Sequence, residues 1–264
     1  FIFCFLPVFM LIYYLVPGKL RNLLLFLGSL IFYAWGEPVY VILMLFSSIF
    51  NYYMGTELER LYYDDRKQKI NLIFSIIINL AVLVFFKYYG FLLNTIGGII
   101  GIHIPHPELS LPIGLSFYTF RNLSYLFDIY LSKVSAQRNF LTFAVYSTMF
   151  PYTSAGPIVR YTDIETQLKQ RTINISKFGI GAELFVKGLA KKVLLADNLS
   201  VLYSSICGHP QMSVFTSWLG ILAYTMQLYF DFSGYSDMAI GLGRVLGFRF
   251  LENFNYPLIA RSAT

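Results

Sequence analysis

The stretch INLIFSIIINLAVLVFF, from Ile70 to Phe86, decides the fold class of this chain. It runs for 17 residues without a charged side chain. A helix needs about 20 mostly apolar residues, and at least roughly 17, to cross the hydrocarbon core of a bilayer. The run therefore predicts a membrane-spanning helix.

Composition extends this interpretation to all 264 residues. The chain is 56% hydrophobic, 19% aromatic and only 13% charged, with a mean hydropathy of +0.60, whereas roughly a quarter of the residues in soluble domains are charged. Further candidate spans are Phe1–Val16, Asn22–Trp35, Val39–Met54, Leu111–Tyr130 and Thr216–Phe230. We expect an all-α fold, a polytopic transmembrane helical bundle with broken or re-entrant and interfacial helices, forming one membrane domain over residues 1–264.

Loop charges predict an orientation. Basic residues cluster in Pro17–Asn22 and in Thr56–Lys69, while the connection Gly36–Pro38 between them has none. Two spans separate the basic loops, so both face one side, and the positive-inside rule makes that side cytoplasmic. Further along, Phe91–Ile102 is only 12 residues long and polar or glycine-rich in places. It can be a re-entrant or interfacial segment as easily as a span.

Several functional classes are disfavoured. The net charge of +6 comes from 20 basic and 14 acidic residues, but the basic residues lie in short loops where anionic lipid explains them, so nucleic acid is not an expected partner. Cys4 and Cys207 form no disulfide framework. The histidines His103, His106 and His209 lie in loops without further ligands nearby, so no metal site is expected.

The stretch LPIGLSFYTFRNLSYLFDIY, Leu111–Tyr130, carries charge inside a candidate span. Pro112 suits the start of a helix. Arg121 and Asp128 are two helical turns apart, so they share a face, and charges in a span normally face the interior of a bundle or a wet cavity. Alternatively, Asp128 ends the span at the headgroups beside Lys133.

Two further stretches interrupt the apolar pattern. Phe150–Ile164 contains Pro151 and Pro157, which predict a break in the helix, and such a break lines a cavity or forms a plain loop between spans. Lys177–Ser200 has apolar residues at three- and four-residue intervals, which favours an interfacial helix whose lysines reach lipid headgroups. A functional alternative gives Lys191 and Lys192 the phosphates of a cytosolic acyl donor.

The stretch YFDFSGYSDMAIGLG, Tyr229–Gly243, places Asp231 and Asp237 beside a candidate span. In a helix these aspartates lie on different faces, so a pair of carboxylates acting together in acid–base catalysis is not expected. Small residues recur every fourth position after them, at Ala239, Gly243 and Gly247. We expect the polar half of the stretch to bind and the glycine half to pack against another helix.

Six segments in sequence order resemble the membrane-bound O-acyltransferase (MBOAT) family. They are FLGSLIFYAWGEP, FFKYYGF, LPIGLSFYTFRNLSYLFDIY, AGPIVRY, FVKGLAKKVLLADNL and LYFDFSGYSDMAIGLGRVLGFRFLENFNYP. They look most like the branch that contains the alginate O-acetylation membrane subunit and its relatives in exopolysaccharide and peptidoglycan acetylation. The resemblance covers nearly the whole chain, and FDFSGYSDMAIG is its most distinctive part.

The resemblance implies a multi-pass enzyme of the bacterial cytoplasmic membrane, embedded in the lipid bilayer and holding no bound cofactor. It would take an acyl group, expected to be acetyl, from acetyl-CoA or another acyl thioester in the cytosol. The group would pass through a membrane tunnel to an exported polysaccharide such as alginate, with an extracytoplasmic acetyltransferase as partner protein.

The family's catalytic histidines are expected beyond Thr264. One lies in a Trp-His stretch well past FDFSGYSDMAIG, and another follows an aromatic-basic run after the Asn-Phe-Asn-x-Pro segment, here Asn253–Pro257. We therefore expect a chain truncated at both ends and inactive alone, because acyl transfer needs a base and oxyanion donors. An acetyltransferase assay of this chain against one extended downstream tests that expectation.

Residues and resemblance together predict a polar lining near the active site that holds the histidines or the acceptor by hydrogen bonds. Its members are Asp231, Ser233, Tyr235, Ser236, Asp237, Asn253 and Asn255. Arg160 and Lys191 are secondary candidates for binding the donor phosphates.

Two alternatives stay open. One is the D-alanyl transfer protein of teichoic acid modification, whose donor is a carrier protein; the run FDFSGYSDMAIGLG favours the polysaccharide branch over it. The other is a polytopic transporter or flippase, which also has buried charges and broken helices. No inverted repeat is visible in the sequence, and this counts against the transporter.

Overall fold

The computed structural model of the protein describes residues 1–101, 109–209 and 213–254. Within these ranges every regular element is helical, which confirms the all-α prediction there. The helices are α1 Phe5–Leu15, α2 Arg21–Gly36, α3 Val41–Arg60, α4 Asp65–Ile100, α5 Leu115–Tyr130, α6 Phe140–Thr148, α7 Tyr161–Lys169, α8 Ile175–Ala190, α9 Asp197–Cys207 and α10 Val214–Val245. Short 3₁₀ turns cover Gly18–Leu20 and Phe150–Tyr152, and a π-helical turn covers Lys191–Ala196.

The chain divides into two compact units. The first unit comprises Phe1–Ser154 and Arg160–Thr162, and the second comprises Ala155–Val159 and Asp163–Thr264. In the first unit α3 packs against α4, α5 and α6, and α2 packs against α1 and α6. In the second unit α10 packs along α8, the π-turn and α9. The single membrane domain expected from the sequence stays a prediction.

Among the described residues, two helices are long and apolar enough to cross a membrane, α3 and α4. The deciding stretch Ile70–Phe86 lies inside α4 and is helical throughout. With 36 residues, α4 is about 54 Å long, well beyond the roughly 30 Å of the hydrocarbon core. The other predicted spans also form helices, but α1 has only 11 residues.

Residues 91–100 do not form a separate helix but continue α4. Asn94, Gly97 and Gly98 lie within the helix, which continues to Ile100 and ends where Gly101 takes a φ of +74°. Glycine lowers helix propensity without forbidding the helix. The left-handed conformation of Gly101 is what terminates it.

The start of α5 differs from the sequence prediction. Pro112 is not in the first turn, because the helix begins at Leu115 after Gly114, whose φ is +76°. A Cβ atom on Gly114 would lie 2.2 Å from the carbonyl oxygen of Thr153. Both the backbone conformation and the lack of space therefore require glycine at this position.

Arg121 lies in the interior of the first unit, with 1% of its surface exposed. Its Nη1 donates to the carbonyl of Ser147 at 2.8 Å, its Nη2 donates to the carbonyl of Tyr152 at 2.7 Å, and its guanidinium lies 4.2 Å from the centre of the Tyr152 ring. These carbonyls belong to the end of α6 and to the turn that contains Pro151. The predicted break is confirmed, and a buried cation satisfies its freed carbonyls.

Asp128 lies in the last turn of α5 and is also buried. Its Oδ1 is 3.8 Å from Nζ of Lys133, whose side chain is half exposed. The burial of Asp128 fits the expectation that a charge in this stretch faces the interior, and its position beside Lys133 near the helix end agrees with part of the alternative.

Candidate functional site

The stretch Tyr229–Gly243 is helical throughout and forms the second half of α10. Asp231 and Asp237 each bind a different lysine of the π-turn. Nζ of Lys192 is 2.6 Å from Oδ1 of Asp231, and Nζ of Lys191 is 2.6 Å from Oδ2 of Asp237. The two carboxylates therefore have separate partners, as their helical phase predicts.

Hydroxyl and amide groups complete this polar cluster. Lys191 also donates to Oγ of Ser233 at 3.2 Å, and Nδ2 of Asn253 donates to Oγ of Ser236 at 3.1 Å. Both serines are buried, with 1% of their surface exposed. Asn253 follows α10 after a turn, so the contact joins two parts of the chain that are 17 residues apart.

The two ion pairs differ in exposure. The side chains of Asp237 and Lys191 are 21% and 35% exposed, and those of Asp231 and Lys192 are 47% and 40% exposed. Lys192 also contacts Asp197 at 3.2 Å. The Asp237 pair is less accessible to water, so removing its carboxylate leaves a more costly unpaired charge.

A π-turn positions the lysines. Lys191–Ala196 carries one extra residue per turn relative to an α-helix, and such turns occur frequently at functional sites. The turn lies directly against α10, because a Cβ atom on Gly234 would be 3.1 Å from the backbone nitrogen of Lys192.

Glycines bring α8 and α10 together, but not those that the four-residue spacing predicted. A Cβ atom on Gly181 would lie 2.6 Å from the carbonyl oxygen of Gly241, and one on Gly188 would lie 2.5 Å from that of Gly234. Each helix contributes two glycines that are seven residues apart. The backbones of the two helices can approach this closely because only small residues lie between them.

The expected packing face is thus corrected. A Cβ atom on Gly243 would meet the ring of Phe250. Ala239 instead faces Gly156, because a Cβ atom on Gly156 would lie 3.3 Å from the Cβ of Ala239. Gly247 lies beyond the end of α10 with a φ of +90°. These three positions face different neighbours and do not form one helix-packing seam.

The remaining candidates lie at separate places. The ring of Tyr235 would be 3.5 Å from a Cβ atom on Gly156. Arg160 is exposed and directly precedes α7. Asn255, like His103 and His106, lies outside the described residues. The assignment of Arg160 and Lys191 to donor phosphates stays a prediction; in this structure the Lys191 ammonium group is engaged by Asp237 and Ser233.

The arrangement suits positioning more than proton transfer. Asp231 and Asp237 accept short contacts from ammonium groups, and charge-assisted contacts of this kind fix side-chain orientation. A serine–asparagine contact beside them offers neutral donors and acceptors. The cluster can therefore hold a polar group of another segment or of a ligand in one orientation.

The pairing of Lys191 and Lys192 with α10 was not anticipated from the sequence, where both lysines were assigned to lipid or donor phosphates. A weak signal exists. Gly181 and Gly188 are seven residues apart, as are Gly234 and Gly241. Antiparallel packing of the two helices at these glycines brings the lysines close to the aspartates.

Comparison with known proteins gives a family match. The family model described as "MBOAT, membrane-bound O-acyltransferase family" matches residues 35–262. The "Probable alginate O-acetylase AlgI" of Pseudomonas aeruginosa is 42% identical over 268 residues, covering 100% of this chain and 52% of the relative. The "Peptidoglycan O-acetyltransferase" of Helicobacter pylori is 33% identical, covering 97% of this chain and 55% of the relative.

A more distant match is the "Teichoic acid D-alanyltransferase" of Bacillus subtilis. It is 28% identical over 172 residues, covering 61% of this chain and 41% of the relative. The chain spans about half the length of the curated relatives that it matches over its full extent.

Proposed function

The chain belongs to the membrane-bound O-acyltransferase family, and from this premise we propose that the whole protein acetylates an exported polysaccharide. The acyl group comes from a cytosolic thioester, acetyl-CoA, and crosses the membrane to a hydroxyl of the acceptor. In each transfer, the hydroxyl oxygen that receives the group forms a bond to the acyl carbon, the bond from that carbon to its previous carrier breaks, and the hydroxyl proton passes to a base. In the first transfer the broken bond is the carbon–sulfur bond, and the thiolate of coenzyme A leaves.

One observation carries this proposal. The relative named as an alginate O-acetylase is 42% identical over the full chain. The peptidoglycan O-acetyltransferase also matches nearly the full chain. Both names denote O-acetylation of a polymer, alginate in one relative and peptidoglycan in the other, which supports acetyl as the group and a polysaccharide as the acceptor.

We assign the protein to the bacterial cytoplasmic membrane as a multi-pass helical bundle, with broken and interfacial helices. Large apolar side chains are exposed along α3 and α4, including Ile42, Phe46, Ile77 and Phe85. Apolar helix surfaces of this extent are favourable in contact with lipid. An extracytoplasmic acetyltransferase is proposed as the partner that delivers the group to the polymer.

The polar cluster on α10 has a positioning role in this proposal. Lys191 and Lys192 hold Asp237 and Asp231, and Ser236 and Asn253 are held against each other. In this proposal they form the lining that orients the catalytic histidines or the acceptor, and the sequence adds Tyr235 and Asn255 as further candidates for it. A group displaced by about 1 Å can lower the rate of an enzyme about a hundredfold.

D-Alanyl transfer to teichoic acid is the second candidate, because the teichoic acid D-alanyltransferase matches 61% of the chain. Its lower identity, 28% against 42%, makes acetylation the preferred function. Family membership favours either acyl transfer over a transporter.

The test uses the full-length protein in a bacterium whose own polysaccharide O-acetylase gene is deleted. We expect acetyl esters on the exported polymer to return, measured by NMR of the purified polysaccharide. A matched strain carries the same protein with Asp237→Asn. D-alanyl esters on teichoic acid, with no acetyl esters on polysaccharide, would establish the second candidate instead.

A further inference from the structure

A cationic cavity of about 510 Å³ lies within the second unit, where α7 ends, α8 begins and α10 ends. Its size falls within the roughly 300–1,000 Å³ of small-molecule sites. It is lined by Gln167, Gln170, Arg171, Thr172, Lys177, Ile180, Arg244, Gly247, Phe248 and Arg249. Four of these residues are basic and none is acidic, so the cavity favours an anion.

Hydrogen bonds hold the lining in place. Gln167 accepts from the backbone nitrogen of Arg249 at 2.6 Å and donates to its carbonyl at 3.4 Å. Nζ of Lys177 donates to Oγ1 of Thr172 at 2.6 Å and to its carbonyl at 3.0 Å. Gly247 makes the turn between α10 and Arg249 possible, because its φ is +90°. The basic groups are thus carried by a fixed backbone.

An aromatic ring supports one arginine. The guanidinium carbon of Arg171 lies 4.6 Å from the centre of the Phe248 ring, and Phe248 is 1% exposed. Stacking of this kind orients the plane of a guanidinium group. An oriented guanidinium donates two parallel hydrogen bonds to a phosphate, which a lysine cannot do.

Favourable interactions with helix dipoles do not account for all four basic residues of the cavity. Arg244 lies in the last turn of α10, where a cation is favourable without any ligand. Lys177, however, lies in the first turn of α8, whose cap is Asn174, and a cation at a helix N-terminus is unfavourable. An anion in the cavity would offset this repulsion and use the N-terminal dipole as well.

We propose that this cavity is a binding site for a phosphate-bearing ligand. The phosphate belongs to one of two sources, a soluble nucleotide-type phosphate or the headgroup of an anionic lipid. Phosphate binding is measured without acyl chemistry, so the proposal stands or falls independently of the acetylation proposed above.

The first arm of the test measures a soluble phosphate. The full-length protein is placed in nanodiscs of phosphatidylcholine alone, and calorimetry measures its affinity for adenosine 3′,5′-bisphosphate and for coenzyme A. We expect Arg244→Gln/Arg249→Gln to weaken binding about tenfold or more, because two charge-assisted contacts are lost. Lys177→Gln is a second variant, with a smaller expected loss.

A matched control removes two charges elsewhere. Arg66 and Lys69 are exposed in the first turns of α4, so Arg66→Gln/Lys69→Gln removes the same net charge outside the cavity. We expect the affinity of this control to match that of the wild type. An equal loss in both double variants would mean that only net charge matters, and this would overturn the proposal.

The second arm measures lipid. The protein is purified from nanodiscs in which roughly one-fifth of the lipid is phosphatidylglycerol, and native mass spectrometry counts the anionic lipids that stay bound. Fewer bound lipids in the cavity variant than in its control would identify a headgroup as the ligand. If neither soluble phosphate nor anionic lipid distinguishes the cavity variant from the control, the cavity does not bind phosphate.

Discussion

Arg121 in the first unit and the lysines of the π-turn in the second unit are cations with two different kinds of partner. Arg121 is 1% exposed, and its Nη1 and Nη2 atoms donate hydrogen bonds to backbone carbonyls. Lys191 is about a third exposed and faces a carboxylate on a neighbouring helix. The first arrangement satisfies an irregular backbone, whereas the second holds one side chain against another.

This difference separates architecture from function. A cation that is hydrogen-bonded to backbone carbonyls has no carboxylate partner that a ligand could displace, so its role is to stabilise the fold. A partly exposed lysine–aspartate pair contributes little stability and can exchange partners when a ligand or another segment approaches. Substitutions of Arg121 should therefore unfold the protein, and substitutions at the ion pairs should lower activity in a folded protein.

The largest expected effect comes from Arg121→Met. The substitution leaves the carbonyls of Ser147 and Tyr152 buried without their donor, which should lower stability by about 3 to 5 kcal/mol. The measurement is the yield of monodisperse protein and the midpoint of thermal unfolding in detergent. Arg138→Met in the same unit is the control, because Arg138 is exposed and pairs with Glu59. Equal midpoints for the two variants would contradict the structural role of Arg121.

The next effect concerns the contact that carries the ion pairs. In Gly188→Ala the new Cβ would lie 2.5 Å from the carbonyl oxygen of Gly234, so α8 and α10 must move apart, at a cost of about 1 to 3 kcal/mol. Gly179→Ala in the same helix is the control, because a Cβ there meets nothing within 4 Å. Alanine at 179 should be neutral or slightly stabilising. Thermal unfolding midpoints that fall equally in both variants would argue against the glycine contact.

The ion pairs themselves should affect activity more than stability. Asp237→Asn is expected to lower polysaccharide acetylation about tenfold, equivalent to roughly 1.4 kcal/mol, because it leaves Lys191 with a neutral partner. Asp231→Asn should have a smaller effect, since its pair is more exposed, and membrane insertion should be unchanged in both. Asp197→Asn, which alters the second contact of Lys192, is the control. Wild-type acetylation in both α10 variants would show that these aspartates do not line the site.

The same contrast explains what the sequence could predict. Apolar length identified the helix containing Ile70–Phe86, and the helical phase considered for Tyr229–Gly243 separated Asp231 from Asp237. The partners of Arg121 could not be read from spacing, because they are carbonyls freed by a break at Pro151 that is 30 residues away. The partners of the lysines also depend on tertiary packing. The four-residue glycine pattern was misleading because α8 meets α10 at glycines seven residues apart.

The smallest expected effect lies at an ion pair at the start of α4, between side chains that are 42% and 69% exposed. Asp64 caps α4 and pairs with Lys67 at 2.9 Å. The Lys67 ammonium group, followed by the Lys67 backbone amide, holds the pKa of the Asp64 carboxyl below its usual range. A carboxyl whose pKa is lower in the folded state stabilises the fold above its unfolded pKa of about 3.9 and loses this contribution as the pH falls through the folded pKa.

We expect Asp64→Asn to lower the unfolding midpoint by no more than about 2 °C at neutral pH, because asparagine is also a good cap. The difference from the wild type should shrink as the pH falls below the unfolded pKa of about 3.9. A difference that grows on acidification would mean that Asp64 is stabilised in its protonated form, and a shift as large as that of Arg121→Met would remove the distinction between buried and solvated charges.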